Sequence, residues 1–362
     1  MDILGPEILR IATNVSVVLT ALSILLLAVI IFIRLNTERR AAHTSHYRHR
    51  VEPFVAGFVA GRRSIEEVAP ELTRDPEEAL ALLMQIFERF TTPDRPKLQP
   101  LFAALPMKTD LRGQLTHRKW EKRLAAAERL GYLGNHGSVT ELVTALRDEV
   151  LVVRFAAARS LVALRAAEAV EPILLAFDVP GELNERRTAE ILHEMGNEAV
   201  APLLGVVRTP GGKHSESVLN VASRVLGMLR AKEAAAPLSS LLDHQEFRVR
   251  LNAARSLGLI GDRTTLPAVA KLAADPSWEV RNAAVQAIGK LHGTAEIERL
   301  VRALADSAWW VRFSAAQALF SLGEPGIAAL KKAARDAADR YAREMSAQVL
   351  AEHGATTSGA QL

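Results

Sequence analysis

The sequence predicts an all-α protein: a right-handed α-solenoid of helical hairpins with a period of about 31 residues, behind an N-terminal transmembrane helix. Three observations carry this. Hydrophobic residues make up 49% of the 362 but aromatics only 5%, so Ala, Leu and Val supply the apolar content. That composition suits helices better than sheets, which favour aromatic and β-branched residues. Residues 11–33 are a run of 23 without a charge, and from residue 114 onward one pattern recurs to near the end of the chain.

At 1.5 Å per residue the uncharged run makes a helix of about 35 Å, enough for a bilayer core of about 30 Å. A cleaved leader would need a basic start and small residues after its apolar stretch. Here the preceding residues are net acidic and Arg34-Leu35-Asn36 follows, so an uncleaved anchor is expected. Residues 1–33 carry a net charge of −1 and residues 34–63 carry +5, which leaves the remainder neutral in a chain of net +4. The positive-inside rule then predicts a single-pass protein of the inner (cytoplasmic) membrane, with the N-terminus out and the solenoid in the cytoplasm.

Within the span, Thr13, Ser16, Thr20 and Ser23 form one helical stripe that suits packing on a partner helix in the membrane. Residues 34–50 read as a basic collar on anionic lipid headgroups, with Tyr47 at the interface. His43, His46 and His49 spread over about 200° of a helix with no carboxylate among them, so no metal site is expected.

The repeat aligns on Arg123, Arg154, Glu185, Leu219, Arg250, Arg281, Arg312 and Arg343, at intervals of 31 residues except for one of 34. Three residues later the side chain is always small, from Ala126 to Ser346; seven residues later it is always apolar, from Leu130 to Leu350. Each unit predicts a helix from about the register position to ten residues beyond, and a shorter one opened by Pro172, Pro202, Pro237 or Pro267. Gly134, Gly196, Gly261, Gly293, Gly323 and Gly354 read as stops of the longer helix.

Three units carry an Asp-x5-Arg pair: Asp148/Arg154, Asp275/Arg281 and Asp306/Arg312, and Pro267 lies eight residues before Asp275. In these features residues 118–354 resemble the HEAT-repeat family, in particular the short bacterial repeats of phycobilin-lyase-like proteins. The resemblance implies a solenoid in which this Asp and Arg form a ladder between repeats. It also implies binding of other macromolecules, with a minority of enzymes.

The expected organisation is a non-cytoplasmic tail (1–10), the transmembrane helix (11–33), a basic juxtamembrane segment (34–63), a helical cap (64–113), the solenoid (114–354) and a disordered tail (355–362). In the cap, Asp75-Pro76-Glu77-Glu78 predicts the start of a helix over 76–90. The longer interval holds Thr209-Pro-Gly-Gly-Lys-His214, which lacks the spacing of a phosphate loop and reads as an elongated connection.

Nothing in the sequence assembles a catalytic set. There is no Cys, which excludes disulfides, thiol nucleophiles and Cys-zinc sites, and the other catalytic motifs are absent. No catalytic, cofactor or metal residues are therefore expected. Two columns remain. Five residues past the register stand Glu128, Arg159, Glu190, Arg224, Arg255, Gln286, Gln317 and Gln348, all long and polar. Three residues before it stand Trp120, Leu151, Glu182, Glu216, Phe247, Trp278, Trp309 and Arg340, with Trp310 beside the last Trp. The second column reads either as hydrophobic staples at helix entries or as an aromatic contact ridge.

The expectation is a non-enzymatic, membrane-anchored scaffold or adaptor. Its contact residues would be Arg159, Arg224, Arg255, Gln286, Gln317, Trp278, Trp309 and Trp310. Its partner would be a membrane-associated protein, for example a membrane glycosyltransferase. The alternatives are a lyase-like enzyme and a nucleic-acid binder, and the neutral body argues against the latter.

Overall fold

The computed structural model describes residues 4–90, 95–106, 108–133, 136–179, 181–208 and 214–354. The tail at 355–362 and most of the elongated connection at 209–214 lie outside them. The described elements are all helical, and the chain divides into two compact units, Met1–Lys108 and Thr109–Leu362.

The first unit holds α1 (Leu4–Val59), α2 (Ile65–Thr73), α3 (Pro76–Arg89) and α4 (Gln99–Ala103). Among the described residues no helix is long and apolar enough to cross a membrane. Thr13, Ser16 and Thr20 fall outside the described side chains. Ser23 donates to the carbonyl of Leu19 at 2.9 Å, a bond within its own helix. From Leu22 to Leu35 the large apolar side chains of α1 are exposed.

The basic segment departs from the expected collar. Tyr47, Val51 and Val55 recur every four residues, so they share one face of α1, and all three are buried in the unit. Tyr47 is therefore a core residue and not an interfacial one: it is 3% exposed, and its hydroxyl donates to the Glu71 carbonyl at 3.4 Å. Burial, with the Asp75 carboxylate adding to it, pushes its phenol up to about 12. Neighbouring arginines are also engaged within the unit. Arg48 donates to Gln85, Arg50 lies 3.6 Å from Glu71, and Arg63 stacks over the Phe54 ring at 4.2 Å. The start of α3 is as expected, with the Asp75 carboxylate accepting from the Glu78 amide at 3.4 Å. Leu80 and Leu83 of α3 and Phe102 of α4 are buried.

In the second unit α5 (Lys108–Gln114) precedes a series of hairpins. One layer holds α6 (Trp120–Tyr132), α8 (Leu151–Ala163), α10 (Glu182–His193), α12 (Glu216–Met228), α14 (Phe247–Ile260), α16 (Trp278–Lys290), α18 (Trp309–Ser321) and α20 (Arg340–Glu352). The other holds α7 (Val139–Ala145), α9 (Val170–Ala176), α11 (Val200–Val207), α13 (Ala235–Ser240), α15 (Leu266–Lys271), α17 (Ile297–Ala303) and α19 (Glu324–Asp336). Helices of the first layer pack on the next member of that layer and on the adjacent helix of the second. These register helices begin three residues ahead of the position expected, so the register residue is the fourth of each. Every small residue at +3 and every apolar residue at +7 is buried. Each such Leu contributes about 2 kcal/mol by leaving water.

Register helices also approach closely at a column of small residues. A Cβ on Gly227 would lie 2.7 Å from the Ser256 side chain and 2.8 Å from its Cα, and Gly131, Gly258 and Gly289 face Ser160, Ala287 and Ala318 in the same way. Just past each helix, at +11, the backbone turns left-handed in each of the seven repeats described there: Arg165, Gly196, Arg230, Gly261, His292, Gly323 and Gly354. This corrects the expected stop at Gly293. His292 takes the left-handed conformation, at φ 52°, while Gly293 stays at φ −76° and is packed against Leu266 and Ile288.

Candidate binding surface

The register arginines are engaged in the fold through Nη1. Arg123, Arg154, Arg281, Arg312, Arg250 and Arg343 each donate through Nη1 to the carbonyl six residues earlier, at 2.6–3.0 Å. Three also fork onto the Asp of the following repeat. Arg123 meets Asp148 at 2.6 and 2.9 Å, Arg250 meets Asp275 at 2.8 and 2.9 Å, and Arg281 meets Asp306 at 2.7 and 2.8 Å. Each Asp in turn accepts the backbone N–H two residues on, from Val150, Ser277 or Ala308. Burial alone would raise the Asp148 and Asp306 carboxyls, but the arginine forks and these amides hold both below the usual carboxylate range.

The column is interrupted in the middle of the array. Glu185 takes the place of an arginine, is buried, and receives Arg248 of α14 at 3.1 Å across an interval of 63 residues. This bridge links α10 to α14, two register helices apart.

The residues at −3 are the first residues of their helices, and they are exposed. Trp120, Leu151, Phe247, Trp278 and Trp309 are all exposed at the helix entries. The next position extends the edge with Val152, Leu183, Trp310 at 56% exposure and Tyr341 at 58%. Trp309 stacks on Phe313 with ring centroids 5.1 Å apart and takes the Trp310 edge at 4.8 Å. Tyr341 lies under the Arg312 guanidinium at 4.8 Å. The interleaving of Phe313, Tyr341 and Leu183 was not visible from the column alone. Its signal is an apolar residue at −2 or an aromatic one turn on at +1.

The +5 column runs along the same layer. Glu128, Arg159, Glu190, Arg255, Gln286 and Gln348 are exposed, and Arg224 and Gln317 are half-buried. Gln286 donates to Ser314 at 3.0 Å, and Gln317 lies 3.3 Å from His353, which stacks on Phe320.

Two histidines act as caps before register helices. His117 and His244 accept the amides of Lys119 and Glu246, the same capping bond that Asp makes in other repeats. His43 lies 3.7 Å from Asp75, and no metal-binding cluster occurs among the described residues. A shallow cavity of the first unit, about 280 Å³, is crossed by the Thr44–Glu78 and Arg48–Gln85 bonds.

The family description "HEAT repeats" matches residues 109–191, 212–289 and 266–351. The chain belongs to the HEAT-repeat family. No curated protein matches the sequence. Among solved structures, Kap121p bound to Nup53p is similar at 12% identity and a TM-score of 0.55, over 86% of this chain and 41% of that one. Kap121p alone gives 14% identity and a TM-score of 0.52, over 80% of this chain and 37% of that one. The complex of CpcE and CpcF of phycocyanin lyase from Nostoc sp. PCC7120 gives 20% identity and a TM-score of 0.31, over 61% of this chain and 91% of that one. The likeness to Kap121p is one of fold, a HEAT solenoid.

Proposed function

We propose that this HEAT protein is a non-enzymatic scaffold that holds a protein partner against the register-helix layer. The observation that carries the reading is the row of exposed aromatic and aliphatic side chains at the helix entries, from Trp120 through Phe247, Trp278 and Trp309–Trp310 to Tyr341. Single exposed apolar residues are ordinary, but aligned tryptophans on rigid helices are not. Trp and Tyr dominate the energetic centres of protein interfaces, and the long polar +5 column beside them supplies the rim. A HEAT array presents such a surface without rearrangement, since each repeat is fixed by its neighbours. Kap121p, similar in fold, was captured bound to Nup53p.

The proposal includes a tether. Residues 11–33 carry no charge, the described apolar side chains from Leu19 onward are exposed, and +5 of net charge follows in residues 34–63. These features favour insertion in the inner membrane with the solenoid on the cytoplasmic side, where the partner is a membrane-associated protein such as a membrane glycosyltransferase.

The test is affinity capture of the full-length protein in mild detergent, comparing wild type with a Trp309→Ala/Trp310→Ala variant of equal helical content. A protein recovered with wild type and depleted with the variant is expected. Identical recoveries would remove the aromatic edge as the contact surface.

A further inference from the structure

The register helices are not joined equally along the array. Where α6 meets α8, α14 meets α16 and α16 meets α18, the same two devices recur. One is the Arg–Asp fork, at Arg123–Asp148, Arg250–Asp275 and Arg281–Asp306. The other is a glycine set against a small residue of the next helix, at Gly131–Ser160, Gly258–Ala287 and Gly289–Ala318. Between α8 and α10 both are missing. Arg154 still donates to the Asp148 carbonyl at 2.9 Å, but Val179 stands where the next Asp would be, and the Arg154 Nε is buried without a hydrogen-bond partner. Such an orphaned donor costs roughly 1–3 kcal/mol. At the glycine and small-residue offsets α8 and α10 carry Val162 and Ile191, whose branched side chains need more room between the helices.

The packing follows these substitutions. α10 lies against α8 and α9 far less broadly than α8 lies against α6 and α7. Leu175 at the end of α9, Val179 in the connection and Leu183 at the start of α10 are all exposed, apolar side chains that a closed interface would cover. On its other side α10 is well held. It also lacks a fork to α12, but it packs broadly on that helix, and Glu185 reaches past it to Arg248 of α14 at 3.1 Å. α10 therefore belongs with the helices that follow it, and the weak seam lies between it and the hairpins before it.

We propose that the solenoid bends at this seam, with the α6–α9 hairpins moving as one stiff arm against α10–α20 as the other. In a repeat array each unit touches only its neighbours, so bending concentrates at the interface that is least joined. Packed layers shift by such hinge motions of nearly rigid parts. The seam divides the exposed edge: Trp120 and Leu151 ride on the first arm, and Phe247, Trp278, Trp309 and Tyr341 on the second. Bending therefore changes the separation between the two parts of that edge. The hinge depends on packing alone, whatever the array binds.

The test is pulsed electron paramagnetic resonance on the full-length protein in mild detergent. The chain has no Cys, so two introduced cysteines take spin labels at those positions alone. Glu128→Cys/Glu190→Cys places labels on α6 and α10, across the seam. Leu259→Cys/Ser321→Cys places them on α14 and α18, across two interfaces that have both devices. All four positions are exposed, and each pair is two repeats apart, about 20 Å at the usual spacing of packed helices. Unchanged helical content and melting temperature verify the labelled proteins. The seam pair should give a distance distribution at least twice as wide as the control pair. Asp306→Ala, which removes a fork between α16 and α18, should widen the control distribution toward that of the seam. Equal widths for the two pairs would overturn the hinge. A control distribution unmoved by Asp306→Ala would overturn the ladder as what stiffens the arms.

Discussion

Arg281 and Asp306 stand 25 residues apart and meet in a two-bond fork at 2.7 and 2.8 Å, which ties one repeat to the next. The same guanidinium donates to the Asp275 carbonyl at 3.0 Å, so a single side chain closes its own hairpin and holds the following one. Both partners are mostly shielded from solvent, which sets this pair apart from the surface pairs of the molecule, whose worth is small.

Replacing Asp306 with Ala should therefore cost about 2 kcal/mol, because it strands a shielded guanidinium and frees the Ala308 amide. Denaturant midpoints of the wild type and Asp306→Ala measure this. The pH dependence has a fixed sign. The Asp148 and Asp306 carboxyls are lowered in the fold, so their contribution is complete above the ordinary Asp value of about 3.9 and disappears as pH falls below it through the lower folded values. The stability gap between wild type and Asp306→Ala should close over that acid range.

Arg312 offers the converse experiment. Its Nε is buried without a partner, because Ala337 occupies the place that Asp306 holds for Arg281. The backbone there, φ −63° and ψ 132°, is close to that of Asp275, φ −61° and ψ 145°. Ala337→Asp should add a rung and raise stability by about 1 kcal/mol, read as a higher melting temperature. A neutral or lower value would mean that the Tyr341 stack has fixed Arg312 out of reach.

The close approach at Gly227 predicts a steric cost. Gly227→Ala would place a methyl group 2.8 Å from the Ser256 Cα, a backbone atom, so α12 and α14 must part. A loss of about 1–3 kcal/mol is expected by chemical denaturation, despite the better helix propensity of Ala.

The tether predicts a sidedness. Protease added to intact spheroplasts should leave residues 34–362 whole and digest them only after lysis. Digestion in intact spheroplasts would reverse the orientation, and recovery of the protein in the soluble fraction would remove the anchor.

Much of the solenoid was legible because its constraints repeat. A buried Leu or Ile at +7 and a small residue at +3 leave the same mark eight times, from Leu130 to Leu350 and from Ala126 to Ser346. What was not legible depends on single positions. The left-handed turn at +11 is filled by Arg165, Arg230 and His292 as well as by glycine, so searching for glycine misplaced one stop at Gly293. Tyr47 sits in a basic stretch that suggests a membrane surface, and only the packing of α1 within its unit reveals a core position. The Trp column and its place at the helix entries were visible as a pattern, and the fold adds that its side chains are exposed.

As proposed, the aromatic edge serves as a contact surface and not as a structural element. Titrating the protein recovered by affinity capture against wild type and Trp309→Ala/Trp310→Ala tests it most directly, with melting followed on the same samples. Binding to the variant should be weaker by more than about 2 kcal/mol, roughly thirtyfold, with melting unchanged. Equal affinity in the folded fraction together with a clearly lower melting temperature would contradict it, since the tryptophans would then serve the fold alone.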